Sequence, residues 1–595
     1  MSTVQASGVR WDLSPLFATP SAAQQAIEPA LERARRFEST WRGRMATMTP
    51  AELAEALAEL GAIENELSRI ASYAMLRKAV DVTSEENRDL GAAVDTAVVQ
   101  AQNALRFFEL EWLALDDDRA RELAEAPEVE RDRHHLESQR RYRAHVLSEP
   151  EERALGERNP AAVSAWQTLY AQTTSTIEVP FDSGDGPQPH TIDRLLAYVH
   201  DGRRDVRQAA LDTLYAALEQ PAPVLAHCYD SLVADRLVID RLRSYGDDPM
   251  AQTHLDNELD AEVVYAMMDA VEQRYPLAQR WFRTKAGLLG LDVLELADQY
   301  APVGEARGVD YDEGRALIDA AFEGFSPRAL DIAQAFFTDQ RVDAEPRAGK
   351  RGGAFCAPVA QDAKPYVLLN YTDTMNDVLT IAHEFGHGMH FQLSHAAQTP
   401  HSAHTGLALA EVPSTFAEFV AYDHLLANEQ DQGTRMALTA ARCEGNFATV
   451  YRQTVLARYE QRAYGLRAES QALTVERLSD IWIEQNVRYY GDSMRLPDGY
   501  RLGWSYIPHF ISTRFYTYAY VFAKLVALAL YGIWRDQGED FVPGYLDFLA
   551  AGGSAAPADL LARLGVDVRG SEIWDIAFGE LERMIEAAER EAAAG

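Results

Sequence analysis

The sequence predicts a mainly α-helical protein with two or more lobes and one small β-sheet. Over most of its length, apolar residues recur three and four positions apart with charged residues between them, as in residues 52–80. This is the spacing of amphipathic helices. Alternation of apolar and polar residues is confined to short segments beside clusters of Gly, Pro and Asp. A chain of 595 residues is also too long for one ordinary hydrophobic core.

Two irregular regions interrupt the helical pattern, and the second lies directly before the segment that carries the metal-binding motif described below. We therefore divide the chain into an N-terminal helical domain, residues 1–190, and a second domain, residues 191–595. The predicted elements are helices from Pro20 to Arg140, a hairpin near residues 173–192, helices from Ile192 to Leu288, strands at Ala354–Val359 and Tyr366–Tyr371 joined by a turn at Gln361–Lys364, and helices after Asp373.

The composition is that of a globular protein with a strongly acidic surface. Apolar residues make up 47% of the chain and charged residues 25%. Because 91 acidic residues outnumber 56 basic ones, the formal net charge is −35, which repels phosphate backbones and anionic lipids. We therefore expect neither nucleic acid nor a membrane surface as a partner. Solubility explains the acidic balance without a specific ligand.

Several features favour a cytoplasmic location. Cys228, Cys356 and Cys443 are far apart and have no metal-like spacing, as expected of single thiols in a reducing compartment. The N-terminal residues contain no basic start followed by an apolar run, so no signal peptide is predicted. The most apolar stretch, from Tyr516 to Trp534, is interrupted by Lys524 and is expected to form a buried helix rather than a membrane span.

A metal-and-base motif lies in the segment NDVLTIAHEFGHGMH, residues 376–390. His383 and His387 are four residues apart, so on a helix both imidazoles lie on one face and can reach one Zn²⁺. Glu384 lies beside the first histidine, where its carboxylate can take a proton from a metal-bound water. The surrounding residues are apolar, which predicts a buried helix and distinguishes the motif from a chance match.

Two features of the same segment concern the helix itself. Thr374, with Asp377 three residues later, forms a capping-box pattern that would start the helix. Gly386 and Gly388 each cost a helix interior about 1 kcal/mol relative to alanine. Close helix packing or a close approach of the substrate would explain why both are present.

A catalytic zinc site needs a third protein ligand. Leu393 occupies the position, ten residues after His383, where a metzincin has its third histidine, so that class is excluded. His390 can share a face with His383, but three ligands from one straight helix diverge too far along its axis. We therefore expect His390 to pack against or support the ligands, and we favour another residue as the third ligand.

The better candidate is Glu411, in the segment ALAEVPSTFAEFVAYDHLLA. Pro413 suits the first turn of a helix, and a second helix that crosses the first can present Glu411 to the metal. Glu418 lies seven residues later on the same face and can orient a ligand imidazole through its ring N–H. The alternative is that both glutamates are solvated charges, which the apolar residues around them argue against.

At this point the sequence resembles a known family. HEFGHGMH followed by EVPSTFAE is similar to the thimet oligopeptidase family of zinc peptidases, family M3, and within it to the oligoendopeptidase F branch. The resemblance extends along nearly the whole chain, whereas HExxH alone identifies only a broad set of metallopeptidases. Its other segments are WDLSPLF at 11–17, HVLSEPEERAL at 145–155 with AWQTLY at 165–170, GKRGGAFCAPVAQDAKPYVLLNYT at 349–372, and IPHFISTRFYTYAYVFA at 507–523.

The resemblance implies a largely helical, neurolysin-like ellipsoid of the gluzincin type, in which two lobes flank a deep substrate channel with one zinc on its floor. It implies His383, His387 and Glu411 as the ligands and Glu384 as the general base. It also implies cleavage of internal bonds in short, unstructured peptides, because a narrow channel excludes folded chains.

The C-terminal segment carries a further implication of the resemblance. A histidine and one or more tyrosines from it would donate hydrogen bonds to the oxyanion that develops during catalysis. The candidates are His509 and Tyr518, followed by Tyr516. Several tyrosines follow the histidine closely, so the match does not single one out. The alternative is that they form an aromatic core with Phe515 and Tyr520.

The small sheet is a candidate substrate-binding element. A bound peptide can add to an exposed strand edge through backbone hydrogen bonds. Gly352 and Gly353, followed by Ala354, would let a substrate backbone approach closely. An ordinary hairpin loop would account for the same residues.

The sequence thus predicts a zinc metalloendopeptidase, a hydrolase that acts on short oligopeptides in peptide catabolism. Peptide substrates are its expected partners, and the oligomeric state stays open. One alternative is a helical zinc exopeptidase, such as a carboxypeptidase. The other is a catalytically inactive peptide-binding protein that has kept a metal site, which the intact set of His383, Glu384 and His387 argues against.

Overall fold

The fold is described from a computed structural model, which describes residues 6–184 and 186–594. The first five residues of the predicted N-terminal domain and residue 185 of the predicted hairpin lie outside this part of the chain. Helices account for 72% of the structure and the sheets are small, so the predicted mainly α class is confirmed.

The helices follow the predicted blocks. In the first block they are α1 (Pro20–Trp41), α2 (Pro50–Val80), α3 (Glu85–Ala114), α4 (Asp117–Ala124) and α5 (Arg133–Arg140). Up to residue 288 they are α6 (Glu149–Arg158), α7 (Val163–Ser175), α8 (Ile192–Ala197), α9 (Arg204–Glu219), α10 (Ala222–Leu242), α11 (Ala251–Asn257), α12 (Ala261–Gln273) and α13 (Tyr275–Leu288).

The second half of the chain is helical in the same way. Up to residue 428 the helices are α14 (Tyr311–Phe325), α15 (Pro327–Thr338), α16 (Met375–Ala397), α17 (Leu407–Ala410) and α18 (Val412–Asn428). The remainder are α19 (Gln432–Phe447), α20 (Gln453–Ala468), α21 (Val475–Tyr490), α22 (His509–Ser512), α23 (Thr517–Gln537), α24 (Val542–Ala551), α25 (Pro557–Ala562) and α26 (Glu572–Ala594).

The strands are short and form small sheets. They are β1 (Glu178–Phe181), β2 (Gln188–Thr191), β3 (Leu294–Glu295), β4 (Val342–Asp343), β5 (Phe355–Ala357), β6 (Tyr366–Leu368) and β7 (Met494–Arg495). The predicted hairpin is confirmed, because β1 and β2 pair antiparallel. β3 pairs parallel with β7 across about 200 residues, which no local pattern could have indicated.

The chain forms two compact units, and each is assembled from three separate segments. Unit 1 consists of the described residues up to Arg143, of Arg307–Asn428 and of Leu530–Gly570. Unit 2 consists of Ala144–Ala306, of Glu429–Ala529 and of the described residues from Ser571 onward. The predicted division at residue 190 does not coincide with these units. Local sequence patterns reveal breaks in secondary structure, whereas compactness depends on contacts between segments far apart in the chain.

Within unit 1, the N-terminal helices share a core with the small sheet. The core cluster combines Phe37, Tyr73 and Trp112, from α1, α2 and α3, with Ala357 and Tyr366 from the strands. The sheet has the order β4-β6-β5, in which β5 pairs antiparallel with β6 and β4 pairs parallel with it. The two predicted strands are therefore confirmed, and the two-residue β4 is an addition. As predicted, this sheet directly precedes α16.

One apolar stretch is long enough to cross a membrane by length and composition, from Thr517 to Ala551. However, 78% of its most apolar window is buried inside the protein. The sequence-based expectation of a buried helix in this region agrees with that burial. Among the described residues, Cys228, Cys356 and Cys443 are all free thiols.

Candidate metal centre

Helix α16 begins where the sequence predicts. The Thr374 hydroxyl accepts a hydrogen bond from the Asp377 backbone N–H at 3.3 Å, and Asp377 Oδ2 accepts one from the Thr374 N–H at 2.9 Å. This reciprocal pair satisfies backbone donors that a helix N-terminus otherwise leaves open. Nine residues after the cap, His383 begins the motif, and its ring centroid lies 5.0 Å from that of His387. The two imidazoles therefore lie together on one face, one turn apart.

The two glycines of the motif allow close packing. A Cβ at Gly386 would lie 2.5 Å from the Pro413 carbonyl oxygen and 2.6 Å from the Ser414 Cα, both on α18. A Cβ at Gly388 would lie 2.3 Å from the ring of Phe336 on α15. Of the two explanations offered from sequence, close packing is thus the one observed. The contact at Gly386 brings α18 against the face of α16 that carries the histidines.

This packing places Glu411 beside both histidines. Its Oε2 atom lies 3.5 Å from the Nε2 atoms of His383 and His387. Possible ligand atoms of the three residues all lie within 4.8 Å of one another, and they form the metal-binding group found among the described residues. Burial alone would raise the pKa of the Glu411 carboxyl, but the nearby imidazoles and the Ser414 hydroxyl lower it to about 2. The carboxylate is therefore ionised, as a metal ligand must be.

Glu418 contacts the other nitrogen of His383. The Glu418 Oε1 atom lies 2.6 Å from Nδ1, so the ring donates this proton to the carboxylate. Although burial opposes the charged form, the hydrogen bond and the charge of Glu418 raise the pKa of His383 above its ordinary value. The contact predicted from the seven-residue spacing is present, and it leaves the Nε2 atom of His383 directed at Glu411.

Glu384 lies between the histidines in the sequence and is 5% exposed. Burial raises the pKa of its carboxyl above the ordinary value, although the charges of His383 and His387 oppose this shift. The backbone of Cys356, on strand β5, forms a hydrogen bond with the same carboxyl and also opposes the shift. A raised pKa brings a carboxyl nearer to neutral pH, where it can both accept and return a proton.

His390 is not part of the metal-binding group. Its side chain is 3% exposed, its Nδ1 atom has no hydrogen-bond partner among the described residues, and its ring lies nearly parallel to that of Phe391 with 5.7 Å between their centroids. Burial lowers the pKa of His390 to about 3, so the imidazole is neutral. The residue therefore packs behind the ligands, as one of the two sequence-based alternatives expected.

The loop before β5 is open to solvent. Gly352 and Gly353 are exposed, and no atom lies within 4 Å of a Cβ built on either. Gly353 has a φ of +80°, which favours glycine. The Asn370 side-chain amide donates to the carbonyl oxygens of Arg351 at 3.0 Å and Gly353 at 2.8 Å. β5 is an edge strand, so a peptide can add to it, and the substrate-binding role of residues 352–354 stays a prediction.

The C-terminal candidates lie in unit 2. His509 is half-buried, and its ring is nearly parallel to that of Tyr516 at a centroid distance of 6.0 Å. Tyr516 in turn contacts Tyr520 edge-on at 4.8 Å. Burial and the charge of Arg452 both lower the pKa of His509, so its imidazole is neutral near pH 7. His509 and Tyr516 thus stay candidates for the oxyanion donors.

Tyr518 does not fit the role expected for it. Its side chain is fully buried at 0% exposure, and its hydroxyl donates to the Thr253 carbonyl oxygen at 2.9 Å while accepting from the Asn257 amide at 3.1 Å. A hydroxyl engaged in the interior in this way is not presented to a substrate. The alternative of an aromatic core position describes Tyr518 better, whereas Tyr516 is half-buried.

Residues that the sequence did not single out support this segment. Phe515 has a φ of +50°, which is unfavourable for a bulky side chain, and its N–H donates to the buried carboxyl group of Glu460 at 3.0 Å. Arg236 donates to the carbonyl oxygens of Phe510 at 3.2 Å and Ile511 at 2.9 Å. These partners are more than 50 residues away along the chain, so no local signal could have revealed them.

Comparison with known proteins agrees with the geometry. The sequence matches Peptidase family M3 over residues 319–580 and Oligopeptidase F over residues 111–178. It is 27% identical over 587 residues to the Oligopeptidase PepF of Bacillus subtilis, an alignment that covers 97% of this chain and 86% of that protein. It is 26% identical over 603 residues to an oligoendopeptidase F homologue of Lactococcus lactis, covering 97% of each.

The fold also has a solved counterpart. The crystal structure of oligoendopeptidase-F from Enterococcus faecium superimposes with a TM-score of 0.71 at 22% identity, covering 96% of this chain and 98% of that one. The alignments with the Lactococcus lactis protein and with the Enterococcus faecium structure thus include the N-terminal segments as well as the motif on α16. Each extends along nearly the full length of this chain and of its relative. The chain belongs to peptidase family M3, in its oligoendopeptidase F branch.

Proposed function

We propose that this protein is a zinc-dependent endopeptidase that hydrolyses internal bonds of short, unstructured peptides in the cytoplasm. The observation that carries the proposal is the convergence of two imidazoles and one carboxylate beside the buried carboxyl of Glu384. Relatives named oligopeptidase and oligoendopeptidase, aligned over 97% of the chain, support the substrate class.

The residues present suit a catalytic zinc. Two histidines and one glutamate are a common ligand set for catalytic zinc, which keeps a fourth position for water or substrate. Nε2 of His383, Nε2 of His387 and Oε2 of Glu411 would hold the ion, with Glu418 orienting the first imidazole. Zinc bound there would lower the pKa of a coordinated water and polarise the carbonyl of the bond to be cleaved.

Glu384 then moves the proton. Its carboxylate takes a proton from the attacking water as the water oxygen bonds to the peptide carbonyl carbon. When the carbon–nitrogen bond breaks, the same carboxyl gives that proton to the leaving amine, so the base is regenerated. We propose His509 and Tyr516 as the hydrogen-bond donors to the oxyanion; each such donor typically contributes about 100- to 1,000-fold in rate.

The first prediction concerns the base. Glu384→Gln should keep the bound metal and lose activity by at least about 100-fold, because an amide cannot take the proton. Turnover of an internally quenched peptide, together with the metal content of the same sample, measures both quantities. Glu323→Gln, an exposed acid in unit 1, serves as the matched control and should behave as the unaltered protein. Normal turnover by Glu384→Gln would refute the assignment.

Two further measurements separate the alternatives. A peptide blocked at both ends should be cleaved internally, whereas an exopeptidase would leave it intact. Activity should disappear with a chelator and return with Zn²⁺, and elemental analysis should find one zinc per chain. A protein that binds the peptide but never cleaves it, with or without zinc, would instead be a peptide-binding protein with an inactive metal site.

A further inference from the structure

Arg452 lies at an unusual point of the backbone in unit 2. It ends a short π-helix, Ala448–Arg452, that connects α19 to α20. π-helical turns are rare and frequently occur at functional sites. The side chain is half-buried rather than sealed in the core, so a solute can reach it.

Within the described residues, the Arg452 guanidinium makes no hydrogen bond and no ion pair. Two other arginines of unit 2 differ in this respect. Arg207 pairs with Asp298 at 2.8 Å, and Arg514 contacts both oxygens of Asp240 at 2.5 and 2.6 Å. With 91 acidic and 56 basic residues in the chain, acidic partners are not scarce. An arginine left without one is therefore available for an external anion.

The surroundings of Arg452 keep it charged without pairing it. Burial lowers the pKa of the guanidinium, but neighbouring tyrosines outweigh that effect and raise it. Two of their hydroxyls are engaged elsewhere, since that of Tyr490 donates to Gln299 at 3.0 Å and that of Tyr500 donates to Asn486 at 2.9 Å. The four tyrosines are Tyr300, Tyr490, Tyr500 and Tyr506.

Arg452 is also close to a residue of the proposed mechanism. Burial is the main cause that lowers the pKa of His509, and the positive charge of Arg452 is the second. A ligand group held by Arg452 would therefore belong to a molecule that lies beside His509. In a peptidase, the molecule expected at that place is the peptide itself.

We propose that Arg452 binds a carboxylate of the peptide substrate and thereby favours peptides that present one. Arginine suits this task because its planar guanidinium can donate two parallel hydrogen bonds to a carboxylate. The inference rests on the proposed peptidase function. The carboxylate has two possible sources, the C-terminal α-carboxylate or an acidic side chain, and the chemistry is the same for both.

The test uses the full-length enzyme and four matched, internally quenched peptides. One peptide has no acidic side chain and a free C-terminal carboxylate, and the second is its C-terminal amide. The third is the C-terminal amide with one residue replaced by Asp, prepared as a series in which the Asp occupies each position in turn. The fourth is the corresponding series with Asn in place of Asp. The unaltered enzyme should show a KM about 10- to 100-fold lower for the carboxylate member of one pair, the range for a charge-assisted hydrogen bond.

The variants address the arginine directly. Arg452→Met should reduce that KM ratio to about 1, and Arg452→Lys should keep part of it because the charge remains. Arg462→Met is the matched control, since Arg462 is exposed on α20, the helix that begins directly after Arg452, and it should keep the full ratio. A ratio between two peptides cancels any loss of active protein. If Arg452→Met folds poorly, the affinities of Arg452→Lys and of the unaltered enzyme for the paired peptides, measured before cleavage, provide a second comparison.

The outcomes are distinct. Preference for the free C-terminus or for the Asp peptide supports the proposal and identifies the source of the carboxylate. The proposal would be overturned if the unaltered enzyme had the same KM for the free carboxylate and the amide and also for the Asp and the Asn peptide. It would also be overturned if Arg452→Met kept the KM ratio of the unaltered enzyme. If a chelator leaves cleavage of all four peptides intact, the proposed zinc peptidase function fails instead, whatever the arginine does.

Discussion

His383 uses its two ring nitrogens for different tasks. Nδ1 donates to Glu418 at 2.6 Å, so the proton is held on that nitrogen and the lone pair of Nε2 is free to bind a metal. The carboxylate also fixes the orientation of the ring and makes the imidazole a better electron donor. His387 has no corresponding carboxylate contact on its other nitrogen among the described residues. In the described part of the chain, a carboxylate therefore orients the ring of His383 but not that of His387, although the HExxH motif gives the two histidines the same role.

We predict that Glu418→Ala lowers metal affinity by about 10- to 100-fold without removing a ligand, because the His383 ring loses its orienting partner. Competition with a chelator of known affinity measures the change. Glu418→Gln should lose less, because an amide oxygen can still accept the Nδ1 proton. Glu323→Ala, an exposed acid in unit 1, controls for the loss of one charge. An affinity for Glu418→Ala equal to that of the control would contradict this role.

At the scale of elements, the metal centre depends on how closely α16 and α18 approach each other. Two of the ligands lie on α16, the third, Glu411, directly precedes α18, and Gly386 lies where the two helices touch. The neighbours on α18 at this point are backbone atoms of Pro413 and Ser414, which cannot move aside as a flexible side chain would. The spacing of the helices thus decides whether Glu411 reaches the histidines.

We predict that Gly386→Ala destabilises the protein by about 1–3 kcal/mol and also weakens metal binding, because the added methyl group must push α18 away. Thermal unfolding and a chelator titration measure the two effects. Gly465→Ala is the matched control, because that glycine lies inside α20 with no atom within 4 Å of the new methyl group. The control should be unchanged or more stable by up to about 1 kcal/mol. Equal behaviour of both variants would show that the helices do not need this approach.

At the scale of the whole molecule, unit 1 contains several histidines whose charged form is disfavoured by burial. Burial lowers the pKa of His390 to about 3 and of His395 to about 4. It lowers the pKa of His135 to about 4, with help from the charge of His401. In the unfolded chain each would titrate near 6.5. Between about pH 4 and 6.5 these three histidines therefore bind more protons in the unfolded state than in the folded one.

We predict that the contribution of these three histidines to stability is fully present above pH 6.5 and is lost as the pH drops toward 4. His135 alone accounts for about 3 kcal/mol of this loss, from its shift of roughly 2.5 pKa units. His135→Gln should therefore flatten the pH dependence of the unfolding midpoint between pH 6.5 and 4. His401 changes stability with pH in the opposite direction. Burial alone would lower its pKa, but the contact with Glu64 raises it. A midpoint that falls equally in the variant and the unaltered protein would refute this role of His135.

Much of the fold and most of the site follow from local sequence. Apolar spacing and caps such as Thr374 with Asp377 are properties of neighbouring residues, so the helical blocks and the start of α16 are predictable. The four-residue spacing of His383 and His387 puts both on one helical face for the same reason. The seven-residue spacing of Glu411 and Glu418 likewise indicated which carboxylates could approach them, although Glu411 lies just before α18 rather than on it.

Other properties were decided only by tertiary structure, because they depend on contacts between distant parts of the chain. The two units combine segments far apart in sequence, so a boundary sought at residue 190 could not describe them. Tyr518 and Tyr516 are alike in sequence, and only their surroundings separate a hydroxyl bonded to Thr253 from a half-buried one. Local sequence is enough to predict the helices and the metal-binding motif. The tertiary structure decided which of the candidate side chains can take part, since burial and hydrogen-bond partners are set across the chain rather than along it.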